Sequence, residues 1–243
     1  MKTLASPSFR PLYDQIKILI TQSLIAGEWR PGDAIPSEIE LANRFHVSQG
    51  TVRKAIDALA AENILVRRQG KGTFVASHSQ ERATTRFLRV SPDSASGEFP
   101  GSEFLSVTRA RAPELTLRLL DLRAGASIHI IRRLLKFAGK PAILDEIHLP
   151  SSLFKGLDES VMRSHKGSFY GYLEGQFGIT MIRAEERIKA VAADAVHAEL
   201  LHVQQGAPLL CVDRVAYTYG DRPVEWRRGL CVTEECSYIN EVT

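Results

Sequence analysis

Ser37-Glu38-Ile39-Glu40-Leu41-Ala42-Asn43-Arg44-Phe45-His46-Val47-Ser48-Gln49-Gly50-Thr51-Val52-Arg53-Lys54-Ala55-Ile56 contains two helix starts separated by one tight connection. Ser37 followed three residues on by Glu40 is a capping box, in which hydroxyl and carboxylate each satisfy a backbone N–H at the start of a helix. Ser48 has the side chain of a second N-cap, and Val52, Ala55, Ile56 and Leu59 follow it at helical spacing as one apolar stripe. His46-Val47 leaves room only for a sharp turn. Upstream, Leu12, Ile16, Leu19, Ile20 and Leu24 recur at threes and fours between Pro11 and Gly27, which predicts a further amphipathic helix. Downstream, Ile64-Leu65-Val66-Arg67-Arg68-Gln69-Gly70-Lys71-Gly72-Thr73-Phe74-Val75 places two short apolar runs around a basic, glycine-rich tip and reads as a β-hairpin. Three helices and a basic hairpin in that order make a winged helix-turn-helix, with the hairpin as wing.

Charge follows the same division. Net charge is only +3, but residues 1–78 contain ten Lys/Arg against seven Asp/Glu, while the remainder is balanced at 21 each. Between Arg44 and Val75 there are six basic residues and two acidic ones, a compact patch suited to phosphates. With 44% hydrophobic and 24% charged residues and no uncharged apolar run near the roughly 18 residues of a membrane span, the chain is expected to be soluble, cytoplasmic and without a membrane partner. The N-terminus lacks the apolar core of a signal peptide. The three cysteines, Cys211, Cys231 and Cys236, show no ligand spacing, so neither a disulfide framework nor a metal site is expected.

Length suggests two domains. The expected division is a winged helix-turn-helix over residues 1–76, a Ser/Pro/Gly-rich linker over 77–102 with one strand near Phe87 to Val90, and a sensor over 103–243. In the sensor, strands are predicted at 104–111, 127–137, 142–149, 179–191, 208–219 and 223–232, with helices near 114–122, 158–164, 168–177 and 193–202. Ala138-Gly139-Lys140 and Gly220-Asp221-Arg222 look like hairpin turns, so an antiparallel α+β domain is expected.

Residues 9–75 resemble the DNA-binding domain of the GntR regulator family, through Pro11-Leu12-Tyr13, Gly32-Asp33-Ala34-Ile35-Pro36-Ser37-Glu38, Leu41-Ala42, Val47-Ser48, Thr51-Val52-Arg53-Lys54-Ala55 and the wing 67–75. Residues from about 103 to 240 resemble the UTRA effector domain of its HutC subfamily, similar in fold to chorismate lyase. The matching phrases are Gly139-Lys140-Pro141, Leu149-Pro150, Gly167-Ser168-Phe169-Tyr170, Ala192-Ala193-Asp194-Ala195, Ala207-Pro208-Leu209-Leu210 and Arg222-Pro223-Val224-Glu225.

In a helix-turn-helix the first turn of the recognition helix meets base edges, so residues 48–54 are the candidates to read sequence. Arg53 can bond O6 and N7 of guanine together, and Gln49 can pair with adenine. Ser37, Ser48, Gly50 and Thr51 join them as candidate contacts. Arg44, Lys54, Arg67, Arg68 and Lys71 suit phosphates, and Gln69, Gly70 and Gly72 form the wing tip whose backbone can approach the minor groove. Gln49 and Ile39 stand where the family often has Arg, so the resemblance does not carry its common operator sequence over. The expected DNA partner is a double-stranded, pseudo-palindromic operator bound by a homodimer.

The resemblance also implies an effector site at Arg133, Ser168, Tyr170 and Glu225, for a small anionic molecule whose binding changes operator affinity. Leu135 replaces a second Arg of the family pattern and Cys231 replaces a Tyr, which points to a smaller or less charged ligand than a sugar phosphate. Pairing of Arg133 with Asp145 or Glu146, and simple helix capping by Ser168, are the structural alternatives. The rival class is an enzyme, a lyase-like domain fused to a DNA-binding module. The seven histidines show no clustered ligand pattern and nothing forms a nucleophile–base pair, so neither catalysis nor a cofactor is expected.

Overall fold

A computed structural model describes residues 10–78, 87–94, 100–165 and 167–240, and divides into two compact units, Met1–Ser77 and His78–Thr243. Of the expected linker, residues 79–86 and 95–99 lie outside the described residues.

The first unit begins with α1 (Leu12–Ile25), α2 (Glu38–Phe45) and α3 (Gln49–Ala61). In α1 only Ile16, Ile20 and Leu24 are buried. Leu12 and Leu19, expected in the same stripe, remain 50% and 41% exposed. The spacing-of-four set alone aligns with the partner helix, and the other two fall on its flanks. The capping box of α2 is complete: Glu40 N–H donates to Ser37 Oγ at 3.3 Å and Ser37 N–H donates to the Glu40 carboxylate at 2.8 Å. His46, at φ 54°, ends this helix in the left-handed region, which turns the chain within one residue toward Ser48. Ser48 then accepts from Thr51 N–H at 3.2 Å, a cap of the kind that contributes about 1 kcal/mol. Val52, Ala55, Ile56 and Leu59 are all fully buried, and burying each larger side chain contributes about 1.5–3 kcal/mol. β1 (Leu65–Arg68) and β2 (Gly72–Val75) pair antiparallel from Leu65↔Val75 to Arg68↔Gly72, which completes the winged helix-turn-helix. Gly70 at φ +69° and Gly72 at φ +108° adopt the conformations that make this tip a glycine position.

The second unit is an α+β domain. Its strands are β3 (Val90–Pro92), β4 (Gly101–Arg111), β5 (Ser127–Phe137), β6 (Lys140–Pro150), β7 (Arg183–Ala192), β8 (Pro208–Thr218), β9 (Arg222–Cys231) and β10 (Cys236–Tyr238). Its helices are α4 (Glu114–Leu119), α5 (Glu159–Ser164), α6 (Phe169–Phe177) and α7 (Ala195–Leu201). Six strands form an antiparallel sheet in the order β4-β5-β6-β9-β8-β7, and β3 pairs with β10 apart from it. Ala138 (φ 47°) and Gly139 (φ 79°) make the two-residue turn between β5 and β6, both central residues at positive φ as a type I′ turn requires.

One expected boundary moves. β7 starts at Arg183 rather than at 179, because Thr180 Oγ1 donates to Glu174 at 3.0 Å and the Met181 carbonyl accepts from His78 Nε2 at 2.7 Å. Thr180 and Met181 are drawn into the packing around α6, and the Met181 carbonyl is lost to the ladder. The strand expected at Phe87 to Val90 likewise begins later, at Val90, where it meets β10, a three-residue strand too short to leave a periodic signal.

The sheet buries both faces. Leu134, Leu144, Leu230 and Cys211 are directly opposite one another on β5, β6, β9 and β8 and pack on Ala198 and Leu201 of α7. Side chains alternate along each strand, so the neighbouring rows point to the other face. That face contains the site described next.

Candidate functional site

On the first unit, Gln49, Gly50, Arg53 and Lys54 are exposed on the first turns of α3, and Thr51 is half-buried. The exposed basic side chains are not all free. Glu38, whose side chain is only 15% exposed, accepts from Gln49 Nε2 at 3.2 Å, from Arg53 Nε at 3.0 Å and from both Arg67 Nη atoms at 3.0 Å. Burial would raise the Glu38 carboxyl, but the bonds from Arg53, Arg67 and Gln49 outweigh it and hold the group below its ordinary value. Arg67 reaches Asp57 as well, at 2.7 Å. Arg44 pairs with Glu28, and Arg68 stacks 4.4 Å from the Phe74 ring. Among the described residues, Lys54 and Lys71 form no ion pair. Ser37 and Ser48 are caps whose hydroxyls bond Glu40 and Thr51. Sequence reading missed Glu38 as the hub joining α2, α3 and the wing, although a carboxylate directly after the N-cap of the helix before the turn was a usable signal.

On the second unit a cavity of about 380 Å³ opens on one face of the sheet. Three cross-strand rows build it. The first row is Leu135, Ile143 and Cys231; the second is Arg133, Asp145, Gly229 and Val212; the third brings Arg227 beside Arg214. Directly opposed residues share a face, so these rows run from apolar at one end to charged at the other. A Cβ at Gly229 would stand 3.2 Å from Asp145 Oδ1, so glycine keeps the middle of the floor open.

The charged end is closely paired. Arg133 donates to Asp145 Oδ2 from Nε at 3.0 Å, with Nη2 at 2.9 Å, and Arg227 reaches the same oxygen at 3.4 Å. Burial alone would raise Asp145, yet Arg227 and Arg133 together hold its carboxyl below the ordinary value. Tyr170 Oη donates to Glu225 Oε1 at 2.9 Å, Arg227 Nε lies 3.2 Å from that oxygen, and Arg214 Nε donates to Glu186 at 2.7 Å. Burial raises the Tyr170 hydroxyl, which therefore stays a donor. The Arg133 guanidinium also stacks 4.8 Å from the centre of Phe169.

Of the expected effector residues, Arg133, Ser168 and Tyr170 line the cavity, and so do Leu135 and Cys231. Glu225 does not. It is fully buried behind the wall, satisfied by Tyr170 and Arg227, and serves to hold those two side chains. Ser168 caps α6, accepting from Gly171 N–H at 2.9 Å and donating to the His78 carbonyl at 3.4 Å, so the capping alternative describes its hydroxyl. A Cβ on Gly171 would come within 2.9 Å of Ser168 Oγ, which explains glycine there. Arg214 and Arg227, absent from the expected set, supply the cationic surface that Leu135 lacks. Their signal was alternation: each is a basic residue on the inward phase of a strand. The three cysteines are free and buried.

Residues 12–75 match the profile of bacterial regulatory proteins of the gntR family, and residues 95–237 match the UTRA domain. The HTH-type transcriptional repressor NagR of Bacillus subtilis is 32% identical over 95% of this chain and 94% of its own length. The histidine utilization repressor of Pseudomonas putida is 27% identical over 88% and 85%. Among solved structures, the ligand-binding domain of a protein described as a GntR-family transcriptional regulator from Bordetella bronchiseptica is 45% identical, with a TM-score of 0.63 over 65% of this chain and 98% of that one.

Proposed function

We propose, for a chain that belongs to the GntR family of bacterial regulatory proteins and carries a UTRA domain, that its operator is released when a small organic anion fills the cavity of the second unit. The protein is a DNA-binding transcriptional regulator, not an enzyme. The observation that carries the effector reading is the buried Arg133–Asp145–Arg227 cluster open to a 380 Å³ cavity, within the size range of small-molecule sites. Residues 1–76 read DNA and 103–243 bind effector and hold the dimer; of the stretch 77–102 expected to connect them, His78 and β3 belong to the second unit, and Phe87 to Val90 join the cavity wall. Relatives whose names describe them as repressors support the sign.

One recognition helix reads about four base pairs, too few to find a site among roughly 10⁶ or more competitors, so the working form is a homodimer on a pseudo-palindrome. Light scattering at micromolar concentration should give twice the 27.0 kDa chain mass. No helix among the described residues is long and apolar enough to cross a membrane.

A ligand alters operator affinity only by binding the DNA-competent and incompetent arrangements unequally. A hundredfold effect requires about 2.7 kcal/mol of coupling, and by linkage the operator must weaken the ligand by the same factor. The experiment selects an operator from random duplexes, finds an effector by thermal shift, and titrates that effector against free and operator-bound protein. Equal affinity in the two states rules the switch out.

A further inference from the structure

The cavity has two chemically distinct ends, and each constrains what fills it. At the charged end, Arg133 is 6% exposed and gives its Nε and Nη2 to Asp145, while among the described residues its Nη1 has no hydrogen-bonding partner. That N–H is open to the cavity and is a ready donor to an anionic acceptor on the ligand, beside a buried Arg227 Nε that has no well-directed hydrogen bond of its own. Around it Arg133, Arg214 and Arg227 are matched by Asp145, Glu186 and Glu225, and Arg89, which also lines the cavity, forms no ion pair among the described residues and leaves one positive charge over. One negative charge on the ligand compensates that surplus. A dianion would leave one charge uncompensated there, and the cost of desolvating an ion rises with the square of its charge.

The other end is mainly hydrocarbon, with the Ser102 hydroxyl, opposite Leu135, as the polar group on its wall. Leu135, Ile143, Val212 and Cys231 belong to one buried apolar cluster and line the cavity. Burial raises the Cys231 thiol, which stays protonated and packs as a small hydrophobe. Hydroxyl groups held against these side chains would lose water without replacement, at roughly ten- to hundredfold in affinity per group.

We propose that the effector is an organic monocarboxylate with an apolar body, its carboxylate on Arg133 and its hydrocarbon against Leu135, Ile143, Val212 and Cys231. This rests on the effector reading above and names its chemistry. Polyhydroxylated phosphates fit this cavity less well, because Ser102 can meet one hydroxyl while the others face Leu135, Ile143, Val212 and Cys231.

The test titrates the full-length protein calorimetrically with unbranched carboxylates from butanoate to octanoate, with hexan-1-ol and with glucose 6-phosphate. Affinity should rise about fourfold per methylene until the cavity is full, with hexan-1-ol at least tenfold weaker than hexanoate and no heat from glucose 6-phosphate. Leu135→Gln should flatten the chain-length series; if that variant fails to fold, the isosteric Val212→Thr should weaken octanoate at least fivefold. No heat from any acid, a series without slope, or tighter binding of glucose 6-phosphate than of hexanoate would each overturn the proposal. Operator affinity is read in parallel. Acids that bind with the expected slope but leave operator affinity unchanged support this chemistry and sink the switch. A sugar phosphate that releases the operator keeps the switch and sinks this chemistry.

Discussion

Asp145→Ala should lower the stability of the second unit by about 3–5 kcal/mol. Asp145 is 2% exposed and is the shared anion for Arg133 at 2.9 Å and Arg227 at 3.4 Å, themselves 6% and 8% exposed. Removing it leaves two buried guanidiniums facing each other, with Glu225 the remaining carboxylate, on the Arg227 side. Denaturant unfolding followed on this unit measures the loss, and the double variant Asp145→Ala/Arg133→Met should recover part of it, because the second change removes the charge that the first one orphaned. A loss below about 1 kcal/mol would mean that water in the cavity solvates Arg133 as well as the carboxylate does, and the charged end would then no longer require an anion. The pH dependence has a definite sign. Because the folded state holds the Asp145 carboxyl below its ordinary value, its contribution is fully present above the ordinary carboxylate range and disappears as pH falls through the lower, folded-state value. Asp145→Asn should therefore remove the part of the acid destabilisation that falls below that range.

Arg53→Ala should cost operator binding about 1–3 kcal/mol while leaving random duplexes almost unaffected. The guanidinium is 58% exposed on the first turns of α3 and donates to Glu38 at 3.0 Å, so it is held in place on the exposed surface before DNA arrives. The substitution does not strand Glu38, because Arg67 bonds the same carboxylate. Lys71 in the wing has no ion pair among the described residues and is suited to a phosphate, so Lys71→Ala should weaken specific and random DNA alike and reduce the salt slope by about one. Binding curves on both duplexes at several salt concentrations separate the two roles. Equal losses of Arg53→Ala on operator and random DNA would remove Arg53 from base reading.

Much of this protein was legible along the chain. Ser37 and Glu40 announced the start of α2, Ser48 that of α3, Gly70 and Gly72 the wing tip, and Ala138-Gly139 the turn that sets β5 against β6. Each of these depends on residues within about four positions of one another: a cap, a helical stripe or a positive φ angle. α1 shows where that reading weakens. Periodicity placed five apolar residues on one stripe, but the direction from which α3 packs leaves Leu12 and Leu19 exposed.

The charges on the reading surface and the cavity were not legible in the same way. Glu38 meets Arg67 from 29 positions away, Tyr170 meets Glu225 across 55, and Arg227 meets Asp145 across 82. Linear order says nothing about such pairs until strand register is known, because register alone decides which residues of β5, β6, β9 and β8 stand opposite one another and on which face. The sequence by itself determined the helices, caps and turns and the two-domain plan, since these are local or compositional. Tertiary structure alone decided that Glu225 lies behind the wall, that Arg214 and Arg227 stand at the cavity, and that Leu135 and Cys231 meet at one apolar end. The physical reason is that burial and pairing are properties of space, and a one-residue slip in register would turn every one of those side chains to the other face of the sheet.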